Sequence, residues 1–290
     1  MSAAITASRR VRVSRRLHRS RMVRRMLADK AGMFSLIIVI LICTIGLLSL
    51  VWTPYDPLAS DLQARLEGPS AAHWLGTDTV GRDILSRLMV ATWVTMKAIA
   101  IAIAIALGFG MIIGVLAGYL EGITDAVTSR FNDVLMALPP VLFAVAIVGV
   151  LGSGLTNAMI AIGILLLPRF LRLSRLTTLE SKHEDFVEAA RCSGAGPARI
   201  LIRHILPGST SVLLVQTSLA AAVAVIGEAS LSFLGLGVQP PTPSWGSMTK
   251  DGFDILSTSA WSILPPSVML IAVVLALSVL GDSLRDASGR

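Results

Sequence analysis

Long apolar runs separated by short polar stretches set the rhythm of this chain. A bilayer core of about 30 Å is crossed by about 20 apolar helical residues. On that measure the first span is Met33–Val51, "MFSLIIVILICTIGLLSLV". A second covers 98–119, a third 138–152 and a fourth 157–173; the fifth covers 209–231 and the sixth 263–280. The pattern therefore predicts an all-α polytopic membrane protein with six transmembrane helices.

Composition agrees with the pattern. Hydrophobic residues make up 54% of the 290 residues and charged ones only 15%, against roughly a quarter charged in soluble domains. The charge is uneven. Residues 1–30 carry ten basic side chains against one acid, Asp29, so the rest of the chain is close to neutral. A basic tail can bind nucleic acid, but this one lacks interleaved aromatics and leads directly into a span. It reads as a positive-inside anchor at an anionic membrane surface. No small-x-small cleavage site follows the first span in "LSLVWTPYDP", so the tail is not read as a removable signal peptide.

Orientation follows from that tail. With residues 1–30 in the cytoplasm, alternation puts 52–96 and 237–262 outside, and 120–137, 174–207 and the C-terminus inside. The inserted stretch supports this independently. From Arg169 to Arg203 it carries seven basic residues (Arg169, Arg172, Arg175, Lys182, Arg191, Arg199 and Arg203), as expected of a cytoplasmic loop. In the second span Gly110, Gly114 and Gly118 recur every four residues, a face suited to close helix packing.

Within the insert, "SKHEDFVEAARCSG" reads as a short helix. Ser181 and Glu184 form a candidate capping box, and Gly194 stands where a left-handed stop is wanted. Glu188 is spaced to pair with Arg191. A second helix starts at Pro197, presents Arg199 and Arg203 on one face, and is expected to stop at Pro207. Such a hairpin suits docking into a groove on another protein; the alternative is an interfacial hairpin with no partner.

Glu188-Ala189-Ala190, followed by Gly194 and Leu206-Pro207, resembles the "EAA" loop of ABC importer permeases. "HWLGTDTVGRDILSRL", 73–88, is similar to the outer segment of the dipeptide, oligopeptide and nickel importer permeases, with Gly76, Asp78, Gly81, Arg82 and Asp83 as its motif residues. "EASLSFLGLGVQPPTPSWG", 228–246, and "GDSLRDA", 281–287, match further stretches of that family. His204 in the loop, and Ser267 after Pro265-Pro266, depart from its commonest pattern. The resemblance spans about 31–287 and is nearest to the second, C-type, permease subunit. It implies a type I importer fold in the bacterial cytoplasmic membrane. It also divides the chain into a tail (1–30), a first helix with an outer segment (31–97), a permease core (98–287) containing the loop 174–207, and an end (288–290).

The resemblance assigns coupling to a cytoplasmic ATPase to Glu188, Ala189, Ala190, Arg191, Gly194, Leu206 and Pro207. It places Glu228, Ser232, Gly235, Gly237 and Trp245 at the outer mouth. Partners implied are a homologous second permease, ATPase subunits holding ATP and Mg, and an extracytoplasmic substrate-binding protein, with no nucleic acid. Peptides are the expected cargo; nickel, glutathione and oligosaccharides are the alternatives.

The residues themselves leave several points open. Glu228 is the sole ionisable side chain between Gly208 and Thr249, and reads either as a gate carboxylate or as an anchor bonded to the amides of the turn after the fifth span. The run "LSFLGLG" with Pro240, Pro241 and Pro243 cannot continue as helix, and at membrane depth such backbone needs protein or a water-filled cavity beside it. In the outer segment Asp78 and Arg82 are spaced to pair, and Ile84, Leu85 and Leu88 after them read as the apolar side of an interfacial helix. Asp125, Arg130 and Asp133 read as ion-pair scaffolding, with Arg130 bridging Asp133. No G-x-x-x-x-G-K-[ST] loop, hydrolase elbow or metal-spaced Cys/His set occurs, so no catalytic residue, cofactor or metal is assigned to this chain. A secondary transporter would instead call for intramembrane acids and bases, and the spans are nearly bare of them.

Overall fold

The computed structural model describes residues 29–288, and the described residues are helical without a named strand. The basic stretch 1–28, which holds most of the proposed anchor, lies outside them. Helix α1, Lys30–Leu48, starts where Asp29 accepts hydrogen bonds from Ala31 N and Gly32 N. Helix α2, Ile84–Leu120, starts where Asp83 accepts from Ser86 N. Both use a carboxylate to satisfy amides that the first turn leaves unpaired.

Then follow α3, Gly122–Ala137, and α4, Pro140–Leu151, bent by 97° from each other. The bend has a local cause. Leu138 and Pro139 each precede a proline and are held extended, with ψ of 134° and 123°, because the proline ring excludes the helical region for the residue before it. Helix α5 is Leu155–Lys182, α6 Asp185–Cys192 and α7 Pro197–Ile200. A π-helical turn, Leu201–Ile205, joins α7 to α8, Leu206–Phe233. The last two are α9, Trp245–Asp254, and α10, Leu264–Ser288.

Four helical stretches are long and apolar enough to cross a membrane: α1, α2, the continuous run Pro197–Phe233, and α10. The bent pair α3–α4 makes a fifth if taken as one span. Helix α5, with Arg169, Arg172 and Arg175 inside its length, packs chiefly along α2 and next against α8, while α1 and α10 pack on each other, on α2 and on α8. Ala98, Ala102 and Ala106 of α2 are buried against Ala158, Ile162 and Phe170 of α5 and Ala220 and Ala224 of α8. The four-residue series continues as Gly110, Gly114 and Gly118. A Cβ on Gly110 would lie 2.9 Å from Leu167 O, and one on Gly118 would lie 2.7 Å from Arg175 O. Both series ascend together, so α2 and α5 run parallel with their backbones in near contact. Small side chains permit that approach, and dispersion at short range holds it where lipid offers no hydrophobic contrast.

The structure corrects several boundaries. The expected interfacial helix at 84–88 is the first turns of α2, with Ile84 and Leu88 buried, because nothing breaks the helix between Asp83 and residue 98. The helix expected as the fourth span runs on to Lys182, well past 173, since no glycine or proline falls between 173 and His183, and it is not among those apolar enough to cross a membrane. Pro207 does not stop a helix. It stands at the start of α8, where the preceding π turn makes room for a ring that would clash in a regular helix. Ser181 lies inside α5 and caps nothing, and Glu184 occupies the N-cap of α6 without a side-chain bond.

Candidate functional site

Three places gather the residues singled out by the sequence. The first is the hairpin between α5 and α8. Its inner face is a small apolar core of Val187, Ile200 and Ile205, all fully buried, with Tyr119, Phe186, Ala195 and Leu201 packed against it. Helix α6 ends as a paired left-handed stop. Gly194 has φ of +77°, Gly194 N bonds Arg191 O at 2.9 Å, and Ala195 N bonds Ala190 O at 3.0 Å.

With that face buried, the other presents Glu188, Ala189, Arg191 and Gly194 to the outside, Ala190 half-buried beside them. Leu206 and Pro207 lie at the far end of the hairpin, where α8 starts. Glu188 forms no ion pair with Arg191. The Arg191 guanidinium instead lies 6.0 Å from the centre of the Tyr119 ring, with Lys182 Nζ at 5.9 Å. Phe186 stacks on His204, ring centres 6.4 Å apart.

The hairpin is tied to the ends of α2 and α5. Lys182 Nζ donates to Tyr119 O at 3.1 Å and to Glu121 Oε1 at 2.7 Å. The hydrogen bond and charge of Lys182 hold the Glu121 carboxyl below its ordinary range. Asp125 accepts a two-pronged pair from Arg175, through Nε and, at 2.6 Å, Nη2. Arg130 does not bridge Asp133 among the described residues. The partner of Asp125 is fifty positions further along the chain, which no local spacing announces.

The second place lies at the opposite end of α8. Glu228 is fully buried. Ser232 Oγ donates to Glu228 Oε1 at 2.7 Å and accepts from Val238 N at 3.1 Å. The carboxylate thus reaches the following turn through a serine, not through the amides directly. That turn closes with Gly235 at φ +77°, and Leu236 N bonds Leu231 O at 2.8 Å, repeating the stop used by α6.

Gly237 and Gly246 press against Ser232 and the α8 backbone; a Cβ on Gly246 would lie 2.6 Å from Ala229 O. Trp245 is buried at the first position of α9, which is capped reciprocally by Ser244 and Ser247. It packs with Ile42, Ile84, Val225 and Val273, joining α1, α2, α8 and α10.

A third place, the segment 73–88, is built as a knot of polar bonds. Asp78 binds Arg82 at 2.7 Å and Arg87 at 3.4 Å. Asp83 accepts from Ser86 Oγ at 2.7 Å and meets His73 Nδ1 at 3.0 Å. Gly76 and Gly81 take positive φ, +72° and +78°. At Gly81 a side chain would also run into the Asp61 carbonyl. Trp261 Nε1 reaches Leu75 O at 2.8 Å and binds this knot to the stretch before α10.

Comparison with known proteins adds to this geometry. The family model described as "binding-protein-dependent transport system inner membrane component" matches residues 110–290. The model described as "N-terminal TM domain of oligopeptide transport permease C" matches 19–69. The glutathione transport system permease protein GsiD of Pectobacterium atrosepticum is 40% identical over 268 residues, 92% of this chain and 88% of the relative. GsiD of Escherichia coli O1:K1 is 41% identical over 265 residues, covering 91% and 88%. GsiD of Shigella flexneri serotype 5b is 42% identical with the same coverage.

Proposed function

This chain belongs to the inner membrane components of binding-protein-dependent transport systems, and from that premise we propose that it is the C-type permease subunit of an ABC importer for short peptides, glutathione included. In this reading a homologous permease completes the pathway. ATPase subunits that bind ATP and Mg dock on the hairpin, and a substrate-binding protein delivers cargo at the Glu228–Trp245 end. The membrane count is six, with α5 and the bent pair α3–α4 each taken as a span, and both termini lie in the cytoplasm.

One observation carries the coupling role. The hairpin is not tethered by a flexible linker; α7, the π turn and α8 form one helical run from Pro197 to Phe233. At 1.5 Å per residue that run is about 55 Å long. Displacement of the exposed Glu188–Gly194 face by a closing ATPase pair is therefore delivered by a rod to the Glu228–Ser232 clamp. Lever and clamp share one element, which suits a rigid-body switch between inward- and outward-facing cavities.

The cargo class draws on the relatives' names and on the resemblance to peptide permeases. Uptake of labelled glutathione and of a labelled tripeptide, in cells with and without this chain, tests it. Restored uptake that excess dipeptide blocks and nickel does not is the expected result. Uptake indifferent to the presence of the chain would reject peptide cargo.

A further inference from the structure

We propose that Arg169 of α5 is a cargo contact that receives a carboxylate of the peptide in transit, an inference that rests on the peptide reading above. The sequence groups Arg169 with the basic residues of the cytoplasmic loop, but the structure puts it elsewhere. It is the fifteenth of 28 residues in α5, halfway between the two ends. Its neighbours Leu167 and Phe170 are the residues that Gly110 touches, and Gly110 lies close to the middle of the apolar run 98–119. Arg169 therefore lies within the helix, beside the tight α2–α5 contact and away from the loop, where an arginine among apolar faces needs water or a partner to receive its charge.

Among the described residues Arg169 makes no ion pair or hydrogen bond, and it is exposed. It opens on a cavity of about 240 Å3 between α4, α5 and α8. The walls include Val141, Ala144, Ile162, Leu166 and Ile226, and no acid lines the cavity; Ser230 is the other polar side chain. Arg175, two turns down, is already engaged by Asp125. The site is thus an apolar pocket with a single charged donor fork. It fits a ligand with one fixed anionic group and variable apolar remainder.

A short peptide has that chemistry, since its terminal carboxyl (pKa about 3.3–3.7) is ionised at neutral pH whatever its side chains. A guanidinium binds such a group through two parallel bonds, while the apolar walls set no sequence preference. A carboxylate could also come from an acidic side chain of the second permease, and the test separates these sources.

The complete importer, with its binding protein, is reconstituted in liposomes with Arg169, R169K or R169Q. Uptake is measured for a labelled tripeptide with a free C-terminus and for its C-terminal amide. For the free acid, R169Q is expected to lower uptake roughly tenfold or more, the factor for a hydrogen bond to a charged group, with R169K intermediate and amide uptake unchanged. Equal rates in R169Q and the parent would overturn the assignment, as would equal losses in R169K and R169Q, or equal loss for acid and amide. Loss of the second permease from the purified R169Q complex would place the charge at the subunit interface and overturn it as well. If the parent importer carries neither peptide, the peptide reading falls and takes this inference with it.

Discussion

Ser232 Oγ stands between Glu228 Oε1 and the backbone of the next turn, donating to the carboxylate at 2.7 Å while accepting from Val238 N at 3.1 Å. Both partners are buried, so removing the hydroxyl strands two groups at once. An unsatisfied buried polar group costs about 1–3 kcal/mol. S232A is expected to lower the thermal midpoint of the purified importer by several degrees. S278A, whose hydroxyl bonds only a carbonyl of its own helix, should stay near the parent, and equal midpoints for the two variants would refute the clamp.

The approach of α2 to α5 yields a second expectation. A Cβ at Gly114 would collide with Leu171 O and lie 2.9 Å from Ser174 Cβ, whereas one at Gly108 meets nothing within 4 Å. Overpacking of this kind costs about 1–3 kcal/mol, and alanine in an open helix position gains up to about 1 kcal/mol over glycine. G114A should therefore destabilise and G108A should not, as read by thermal unfolding in detergent. The reverse order would mean that the two helices do not meet along this face.

Asp125 and Arg175 hold the ends of α3 and α5 together through a half-buried, two-pronged pair. Screening by solvent keeps such a pair to about 1 kcal/mol. A double-mutant cycle of D125N and R175Q, read by denaturation, should give a coupling energy of that order. Strict additivity would show that the two side chains do not interact.

The bond from Lys182 to Glu121 gives a pH dependence with a definite sign. Glu121 titrates below its ordinary 4.5 because Lys182 donates to its ionised form and carries a positive charge. A carboxyl lowered in the folded state contributes fully above its ordinary value and loses that contribution as pH falls through the lowered one. Amide protection at the α2–α3 junction, taken as exchange relative to the intrinsic rate at each pH, should therefore be the same at neutral pH and just above 4.5, then fall in more acid solution. E121Q should show the lower protection at every pH. Protection that rises with acid would contradict the assignment.

Much of this was legible in the sequence, and the rest has physical reasons for having been hidden. Helix-period glycines and the stop at Gly194 are local signals, and each is found where local chemistry requires it. The expected division of α2 into an interfacial helix at 84–88 and a span from 98 does not hold, since one helix runs from Ile84 to Leu120. The inward turn of Ile84 and Leu88 depends on partners in α1, α8 and α9 that no window of the chain contains. Pro207 misled for a related reason: a π turn absorbs the ring, and its register is set by packing of Ile200 and Ile205 against Val187. Pairs such as Asp125–Arg175 join residues far apart in sequence, so composition could show only that charges were present.

The hairpin's exposed face allows docking to be separated from folding. Glu188 makes no side-chain bond among the described residues and points away from the Val187 core, so E188K leaves the fold, the membrane insertion and the thermal midpoint near those of the parent. If this face seats in an ATPase groove, the reversed charge there should reduce co-purification of the ATPase and abolish ATP-dependent uptake together. Gly194 tests the same face through the backbone. At φ +77° with open space around it, G194N should be tolerated and G194V should strain the stop by about 1–2 kcal/mol. The docking role predicts ATPase loss for E188K and G194V, with retention for G194N. Retained ATPase and normal uptake in E188K would sink it, since an exposed charge of the motif would then be idle.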